Sequence, residues 1–213
     1  MIDKRFKAGI KKIHKPTQRI RFCLGTLVLV AFCVLLLIIG TFTQIKINFN
    51  LPDSGLSSYL KFEYIPQIPI VIFIAALLDE FWGLVAILIY IIMGLTPWYP
   101  VFALGGGMSY MFQYNFGYIF AFIFAVLLTT KQLKHGEGIL NMIFAVLYGV
   151  CIIHIIGIVY MCIIALLRHD SFAFISNVIY YQSFAKILYD IVFSFLAILI
   201  ARGSRKLLWV VMS

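Results

Sequence analysis

The sequence is organised around long apolar runs, and these limit its fold more than any other feature. The stretch from Phe22 to Ile45 carries no charged residue, and neither does the stretch from Ile139 to Leu167. Runs of this length can cross the hydrocarbon core of a bilayer. Because 63% of the 213 residues are apolar and only 12% are charged, a soluble globule of this size could not bury them. The chain is therefore predicted to be a polytopic membrane protein, which excludes a soluble enzyme and a disordered chain.

Turn-forming residues and charges divide the apolar sequence into six segments. We predict an all-α fold, a six-transmembrane-helix bundle over residues 22–207, with a basic leader at 1–21 and a tail at 208–213. No small-x-small cleavage site follows the leader, so we interpret it as the start of a retained first span rather than a signal peptide. The predicted spans are Phe22–Ile45, Pro66–Leu78, Phe81–Leu95, Gly117–Leu128, Ile139–Leu167 and Phe184–Ala201.

The connections between these spans differ in length and polarity. We expect loops at Asn48–Glu63, Lys131–Glu137 and Ser171–Ser183, and a non-helical segment at Val101–Phe116. The first of these carries proline, glycine, aspartate and three serines, a composition typical of turns.

The net charge of +9 reflects membrane topology rather than nucleic-acid binding. Thirteen of the seventeen basic residues fall in the leader, the Lys131–Lys134 region and the C-terminal segment. Basic residues that flank spans stay on the cytoplasmic side, where they also meet anionic lipid. We therefore expect a cell-membrane protein with both termini cytoplasmic and its long loops outside. A 21-residue leader is too short to display a folded nucleic-acid surface, so no nucleic-acid partner is predicted.

The segment Val101–Phe116 is the first candidate for a binding site. Three consecutive glycines, Gly105, Gly106 and Gly107, oppose a continuous helix, yet the segment is apolar enough to lie at membrane depth. Irregular backbone at that depth must be buried in protein or line a cavity. The glycines could bring backbone amides close to a ligand, or simply fit the loop tightly against span four.

Lys186 is the most informative single residue, because it lies about one turn inside the sixth apolar segment. An ammonium group there needs a partner or water. Asp190 is four residues later on the same helical face, so one interpretation is an internal ion pair. The other places Lys186 at the outer end of span six, directed at a ligand carboxylate or carbonyl.

His154 and Tyr118 are two further candidates for the binding site. His154 lies in the middle of span five, where a neutral imidazole could simply pack in the core or could line the cavity. Tyr118 directly follows the irregular segment and is the tyrosine that we expect to contact ligand. The sequence has neither metal-ligand spacing nor a catalytic or nucleotide-binding motif. We therefore predict no metal, no cofactor and no enzymatic activity, and any active transport must take its energy from a partner or an ion gradient.

The residues from Pro66 to Phe122 resemble the BioY family, the biotin-specific S components of energy-coupling factor (ECF) transporters. The resemblance rests on glycines and aromatics in a fixed order, followed by a lysine in the last span that matches the family's D-x-x-K motif. These residues are Gly83, Tyr90, Gly94, Pro100-Val101-Phe102-Ala103, Gly105-Gly106-Gly107, Gly117-Tyr118, Phe122 and Lys186. Gly157 also resembles a family glycine in span five, and Ser183 stands where the family has the carboxylate of that motif.

The resemblance implies a substrate cavity on the outer side, capped by the loops after spans one and three and walled by spans four to six. It also implies a biotin or biotin-like substrate, and assembly with a transmembrane T component and ATP-hydrolysing subunits. Under this hypothesis the substrate-binding residues are Lys186, Tyr118, Asn115, Gly105, Gly106, Gly107, Phe102, Tyr90, His154 and Ser183. The alternatives are an S component for another small apolar vitamin, and a structural or interaction protein whose cavity is filled by phenylalanines 102, 112 and 116.

Overall fold

A computed structural model of the chain describes residues 23–48, 61–99, 101–103, 105–136 and 138–212. The expected leader, most of the loop Asn48–Glu63, Pro100 and Glu137 lie outside these ranges. Within them the chain forms helices and one short ribbon of two strands. The elements are α1 (Leu24–Phe42), β1 (Ile45–Asn48), β2 (Lys61–Tyr64), α2 (Gln67–Leu77), α3 (Glu80–Leu95), α4 (Phe116–Lys134), α5 (Ile139–Arg168), α6 (Phe172–Ile179) and α7 (Ile187–Met212).

The six-helix bundle predicted from the apolar runs is confirmed. Helices α1 to α5 follow the first five expected spans, and α6 and α7 together form the sixth unit. Among the residues that the structure describes, four segments are long and apolar enough to cross a membrane, namely α1, α4, α5 and the unit Phe172–Leu208, whereas α2 and α3 are apolar but shorter. Helix α4 packs most extensively against α5, and α2 packs against α7 and α4.

The bundle has an apolar exterior and carries several polar side chains inside, the reverse of a soluble protein. Leu24, Leu166 and Phe172 are among the large apolar side chains that remain exposed, while Thr129 and Ser194 are fully buried. This distribution is typical of helices whose outer surface contacts lipid, because polar groups in hydrocarbon must find partners within the protein. The structure is that of a multi-pass membrane protein.

Two expected loops and one expected helix end are corrected by the structure. The segment Lys131–Lys134 belongs to the last turn of α4, because no proline or glycine interrupts the helix before Gly136. The segment Ser171–Ser183 is helical, since the Ser171 hydroxyl accepts a hydrogen bond from the Phe174 amide and caps α6. The last helix also continues to Met212, well beyond the expected end at Ala201.

The two ends of the loop expected at Asn48–Glu63 form the antiparallel ribbon β1–β2. Ile45 pairs with Tyr64 and Asn48 with Lys61. The alternation of polar and apolar residues in Ile45–Asn48 and Lys61–Tyr64 fits this pairing, but each run is too short to stand out in a sequence of helices.

Two groups of contacts mark opposite ends of the bundle. At the basic end, Arg205 of α7 donates to Asp79 at 2.7 Å and Lys134 of α4 pairs with Glu80 at 2.5 Å. These ion pairs hold the tight turn between α2 and α3 against the C-terminal parts of α4 and α7. The ribbon, the irregular segment after α3 and the C-terminus of α5 gather at the other end, which we call the ribbon end.

Candidate substrate-binding site

Tyr118, at the start of α4, occupies a depression in the surface of α5. A Cβ atom at Gly157 would lie 2.5 Å from two carbons of the Tyr118 ring, so only glycine leaves room for the ring. One residue earlier, Gly117 leaves room in the same way for the side chain of Tyr160. These reciprocal contacts bring α4 and α5 close together and direct the buried Tyr118 side chain across the bundle.

Ser183 lies in a wider helical turn, Tyr180–Phe184, that connects α6 to α7. The Ala185 amide donates to the Tyr180 carbonyl at 3.0 Å, five residues back, which is the hydrogen bond of a π-helix. Such turns interrupt α-helices and are frequent at functional sites. Here the turn leaves Ser183 buried while its neighbour Phe184 remains exposed.

These residues belong to a continuous row of buried polar side chains, which we call the polar row: Tyr118, Ser183, His154, Asp190 and Tyr64. The Tyr118 and Ser183 hydroxyl oxygens are 2.7 Å apart, and the Ser183 hydroxyl lies 3.0 Å from Nδ1 of His154. His154 Nε2 lies 3.2 Å from one carboxylate oxygen of Asp190. The other oxygen accepts from the Tyr64 hydroxyl at 2.8 Å.

The polar row joins four separate parts of the chain. Tyr118 comes from α4, His154 from α5, Ser183 and Asp190 from the π turn and α7, and Tyr64 from the last position of β2. All five side chains are at least nine-tenths buried. Groups so far from water must satisfy each other, and the row achieves this without a break.

The structure packs His154 in the core, where the imidazole is hydrogen bonded to Ser183, a candidate ligand residue. That His154 lines a cavity stays a prediction. For Asp190 the structure identifies partners other than those expected, since the carboxylate oxygens are directed at Tyr64 and His154. Lys186 lies one turn from both Ser183 and Asp190. Its amide donates to the Ser183 carbonyl at 3.0 Å and its carbonyl accepts from the Asp190 amide at 2.9 Å.

The segment Val101–Phe116 was expected to be non-helical, but it contains a short 3-10 helix at Met108–Phe112. The irregular segment folds back onto α3. The Gly107 amide donates to the Gly94 carbonyl at 2.9 Å, and Gly94 leaves room for the ring of Phe102. Gly105 and Gly107 have φ angles of 123° and 87°, which other residues adopt only with strain. The glycines therefore serve at least to fit this segment against the bundle, which was one of the two interpretations left open.

Tyr90 and Phe102 take part in packing contacts at the ribbon end. Their rings are in edge contact, 5.5 Å apart. The Tyr90 hydroxyl lies 2.9 Å from the Thr41 hydroxyl, and the Gln67 amide donates to both, at 3.1 and 2.7 Å. This second polar cluster joins α1, α2 and α3.

The irregular segment is also tied to the end of α5. The guanidinium of Arg168 donates to the Phe112 carbonyl at 2.6 Å and lies 4.7 Å from the centroid of the Tyr114 ring. The Tyr114 hydroxyl donates to the carboxylate of Asp170, and this hydrogen bond raises the pKa of Tyr114. His169 ends α5 in the left-handed conformation, which turns Asp170 towards this contact.

Of the ten predicted site residues, the structure brings Tyr118, Ser183 and His154 into direct contact. Asn115 is half-buried at the N-terminus of α4, where its carbonyl accepts from the Tyr118 amide at 3.2 Å. Gly106 is half-buried in the irregular segment. The role of Asp190 in the polar row, and the contributions of Tyr64, Thr41 and Gln67, were not predicted. Tyr64 lies 126 residues from Asp190, and no local pattern indicates such a contact.

The BioY family model matches residues 11–209, nearly the whole chain. The chain belongs to the BioY family. No curated protein sequence matches it closely enough to report. A solved structure, described as the S-component for biotin from an ECF-type ABC transporter, is similar to it with a TM-score of 0.64 and 22% sequence identity. The match covers 85% of this chain and 91% of that one, so the two proteins share a fold.

Proposed function

We propose that this chain is the substrate-binding membrane component of an uptake transporter for biotin or a biotin-like vitamin. Its membership of the BioY family over residues 11–209 is the observation that carries the proposal. The likeness of its fold to the S-component for biotin supports it. The protein binds its ligand and catalyses no reaction of its own.

The proposed site lies where α4, α5 and α7 meet at the ribbon end. Tyr118 and Ser183 supply hydrogen bonds, and His154 supports Ser183 from behind. Lys186, one turn further along the chain than Ser183, binds an anionic or carbonyl group of the ligand. An ammonium so close to the membrane interior favours a negatively charged partner.

The irregular segment covers this site. Gly105, Gly106 and Gly107 bring its backbone close to the bundle, and Asn115 with the packed rings of Tyr90 and Phe102 completes the proposed wall. Arg168 and Asp170 hold the segment against α5. Entry of a ligand from the outer side then requires these contacts to open, which places the gate at the ribbon end.

The orientation and the partners follow from the same proposal. We propose that the end that carries Lys134 and Arg205 lies in the cytoplasm with both termini, and that the ribbon end lies outside. The basic residues at the first end support this orientation. The chain has no nucleotide-binding motif, so we propose that it assembles with a T component and ATPase subunits that supply the energy.

A purely structural role would have phenylalanines 102, 112 and 116 fill the cavity, but these three side chains do not pack together. Phe102 packs on α3 and Phe116 packs against Tyr160, whereas the Phe112 side chain is exposed. This arrangement gives no particular support to a purely structural role.

Calorimetric titration of the purified protein with biotin tests the proposal, with riboflavin, thiamine and lipoate as matched controls. We expect submicromolar binding of biotin and none of the flavin or thiazolium vitamins. Absence of biotin binding by protein that is demonstrably folded would contradict the biotin assignment. Tight binding of lipoate alone would instead identify a different apolar carboxylate vitamin.

A further inference from the structure

The hydrogen bonds of the polar row share one donor-to-acceptor direction, and Asp190 determines it. As a carboxylate, Asp190 offers only acceptor oxygens. One accepts from the Tyr64 hydroxyl at 2.8 Å, and the other faces Nε2 of His154 at 3.2 Å. The nitrogen that faces Asp190 must therefore carry a hydrogen.

The remaining bonds of the polar row follow in sequence from that hydrogen. When the ring is neutral it has one N–H group, and Nδ1 of His154 is then the acceptor for the hydroxyl hydrogen of Ser183, 3.0 Å away. With its only hydrogen used, the Ser183 oxygen accepts from the Tyr118 hydroxyl at 2.7 Å. Every hydroxyl hydrogen between Tyr118 and Asp190 thus points towards Asp190.

We propose that Asp190 is a positioning residue which, through neutral His154, makes the Tyr118–Ser183 pair a hydrogen-bond acceptor towards the ligand. The hydrogens of both hydroxyls are already donated inward, so only lone pairs remain for a ligand. The site therefore selects a ligand group that donates N–H or O–H, such as a ureido or amide nitrogen, over an isostere that can only accept. This selectivity rests on the proposed function, in which Tyr118 and Ser183 contact the substrate.

Burial prevents the hydroxyl hydrogens of the polar row from turning the other way. Each member of the polar row is at least nine-tenths buried, so a hydrogen turned the wrong way would not find water as a substitute acceptor. A hydroxyl on the protein surface could rotate to suit either kind of ligand, whereas Tyr118 and Ser183 are committed before the ligand arrives.

The substitution Asp190→Asn reverses the polar row without changing its shape. The amide oxygen would accept from Tyr64, because the buried Tyr64 hydroxyl otherwise loses its acceptor, and the amide N–H would then face Nε2 of His154. Nδ1 of His154 would carry the hydrogen and donate to Ser183, and Ser183 would donate to Tyr118. The Tyr118 hydroxyl hydrogen would then be free to point at the ligand.

Tyr64→Phe is the matched control. It removes the other hydrogen bond to Asp190 but leaves the carboxylate facing His154, so the direction of the row and the ligand preference stay as they are. A loss of stability without a change of preference is the expected result for this variant.

Nitrogen-15 NMR of histidine-labelled protein in nanodiscs tests the direction without any ligand. The chain has four histidines, and the signal that disappears in His154→Gln identifies His154. We expect the neutral Nε2–H tautomer in the wild type and in Tyr64→Phe, and Nδ1–H in Asp190→Asn. Nδ1–H or a doubly protonated ring in the wild type, or the same tautomer in Asp190→Asn, overturns the proposal.

Binding of biotin is then compared with its two carbamate analogues, in each of which one ureido N–H is replaced by oxygen. We expect the wild type and Tyr64→Phe to bind at least one analogue on the order of a hundredfold more weakly than biotin, and Asp190→Asn to lose most of that difference. Equal weakening of all three ligands in Asp190→Asn would show a merely structural role and overturn the proposal. Failure of biotin to bind while the tautomers are as expected would contradict the proposed function and the ligand preference that rests on it. The direction of the hydrogen bonds in the polar row would still be supported by the tautomers.

Discussion

The ring of Tyr118 lies so close to Gly157 that a Cβ atom at position 157 would come within 2.5 Å of two ring carbons. Two helices, α4 and α5, are thereby positioned by the absence of one side chain. The same contact directs the Tyr118 hydroxyl to Ser183 and so connects helix packing to the proposed site.

Gly157→Ala should weaken biotin binding by about fivefold. The added methyl group displaces the Tyr118 ring and breaks its hydrogen bond to Ser183, a loss of about 1 kcal/mol. Calorimetric titration measures the change. Gly203→Ala is the control, because a Cβ there meets no other atom within 4 Å. Unchanged affinity in Gly157→Ala would argue against a role for Tyr118 in binding.

Lys186→Ala should abolish biotin binding and leave the protein folded. If the ammonium holds the ligand, its removal costs affinity, whereas the loss of an ion pair with Asp190 would cost thermal stability and spare affinity. Titration and thermal unfolding of the same preparation separate the two roles. Lys206→Ala, which removes an exposed lysine from α7, should change neither quantity.

Gly107→Ala should destabilise the protein by about 1–3 kcal/mol, because a φ of 87° with extended ψ is accessible almost only to glycine. Gly106→Ala offers a neighbouring control outside the positive-φ positions and should have a smaller effect. Chemical denaturation in detergent gives both values. Equal effects at the two positions would contradict the strain argument.

Arg168→Ala should loosen the irregular segment over the proposed site. The guanidinium contributes a hydrogen bond to the Phe112 carbonyl and a contact with the Tyr114 ring, and both end with the substitution. Hydrogen exchange of residues 108–116 should accelerate, and biotin should dissociate faster. Arg168→Lys keeps the charge but not the planar fork, so it should give an intermediate rate. Exchange that is unchanged in Arg168→Ala would exclude this residue as a latch.

The ion pair between Asp79 and Arg205 should contribute less than about 1 kcal/mol, since both side chains are partly exposed. A double-mutant cycle with alanine at the two positions measures the coupling by thermal unfolding, and added salt should reduce it. A coupling of several kcal/mol would mean that the turn between α2 and α3 is far better shielded from water than its exposure indicates.

The sequence by itself determined the membrane environment, the six-helix architecture and the family. These depend on the length of apolar runs and on short motifs such as Gly105-Gly106-Gly107, which are local properties. It also identified three candidates for the site. His154 lies in the middle of an apolar run, Tyr118 follows the irregular segment, and Ser183 was identified through the family resemblance. Helix ends were predicted less well, as Lys131 and Ser171 show, since polar residues are compatible with both a loop and a helix end.

Only the tertiary structure decided which partner each polar group has. Asp190 was four residues from Lys186 in sequence, yet its carboxylate is directed at His154 and at Tyr64, a residue of the ribbon. The Tyr90 hydroxyl bonds to Thr41 and Gln67 of other helices, partners that the sequence did not indicate. Helical periodicity indicates which residues share one face of a helix. It does not indicate which face of another helix packs against them. In this bundle that pairing is fixed by close contacts such as Gly157 with Tyr118, and the polar row follows from it.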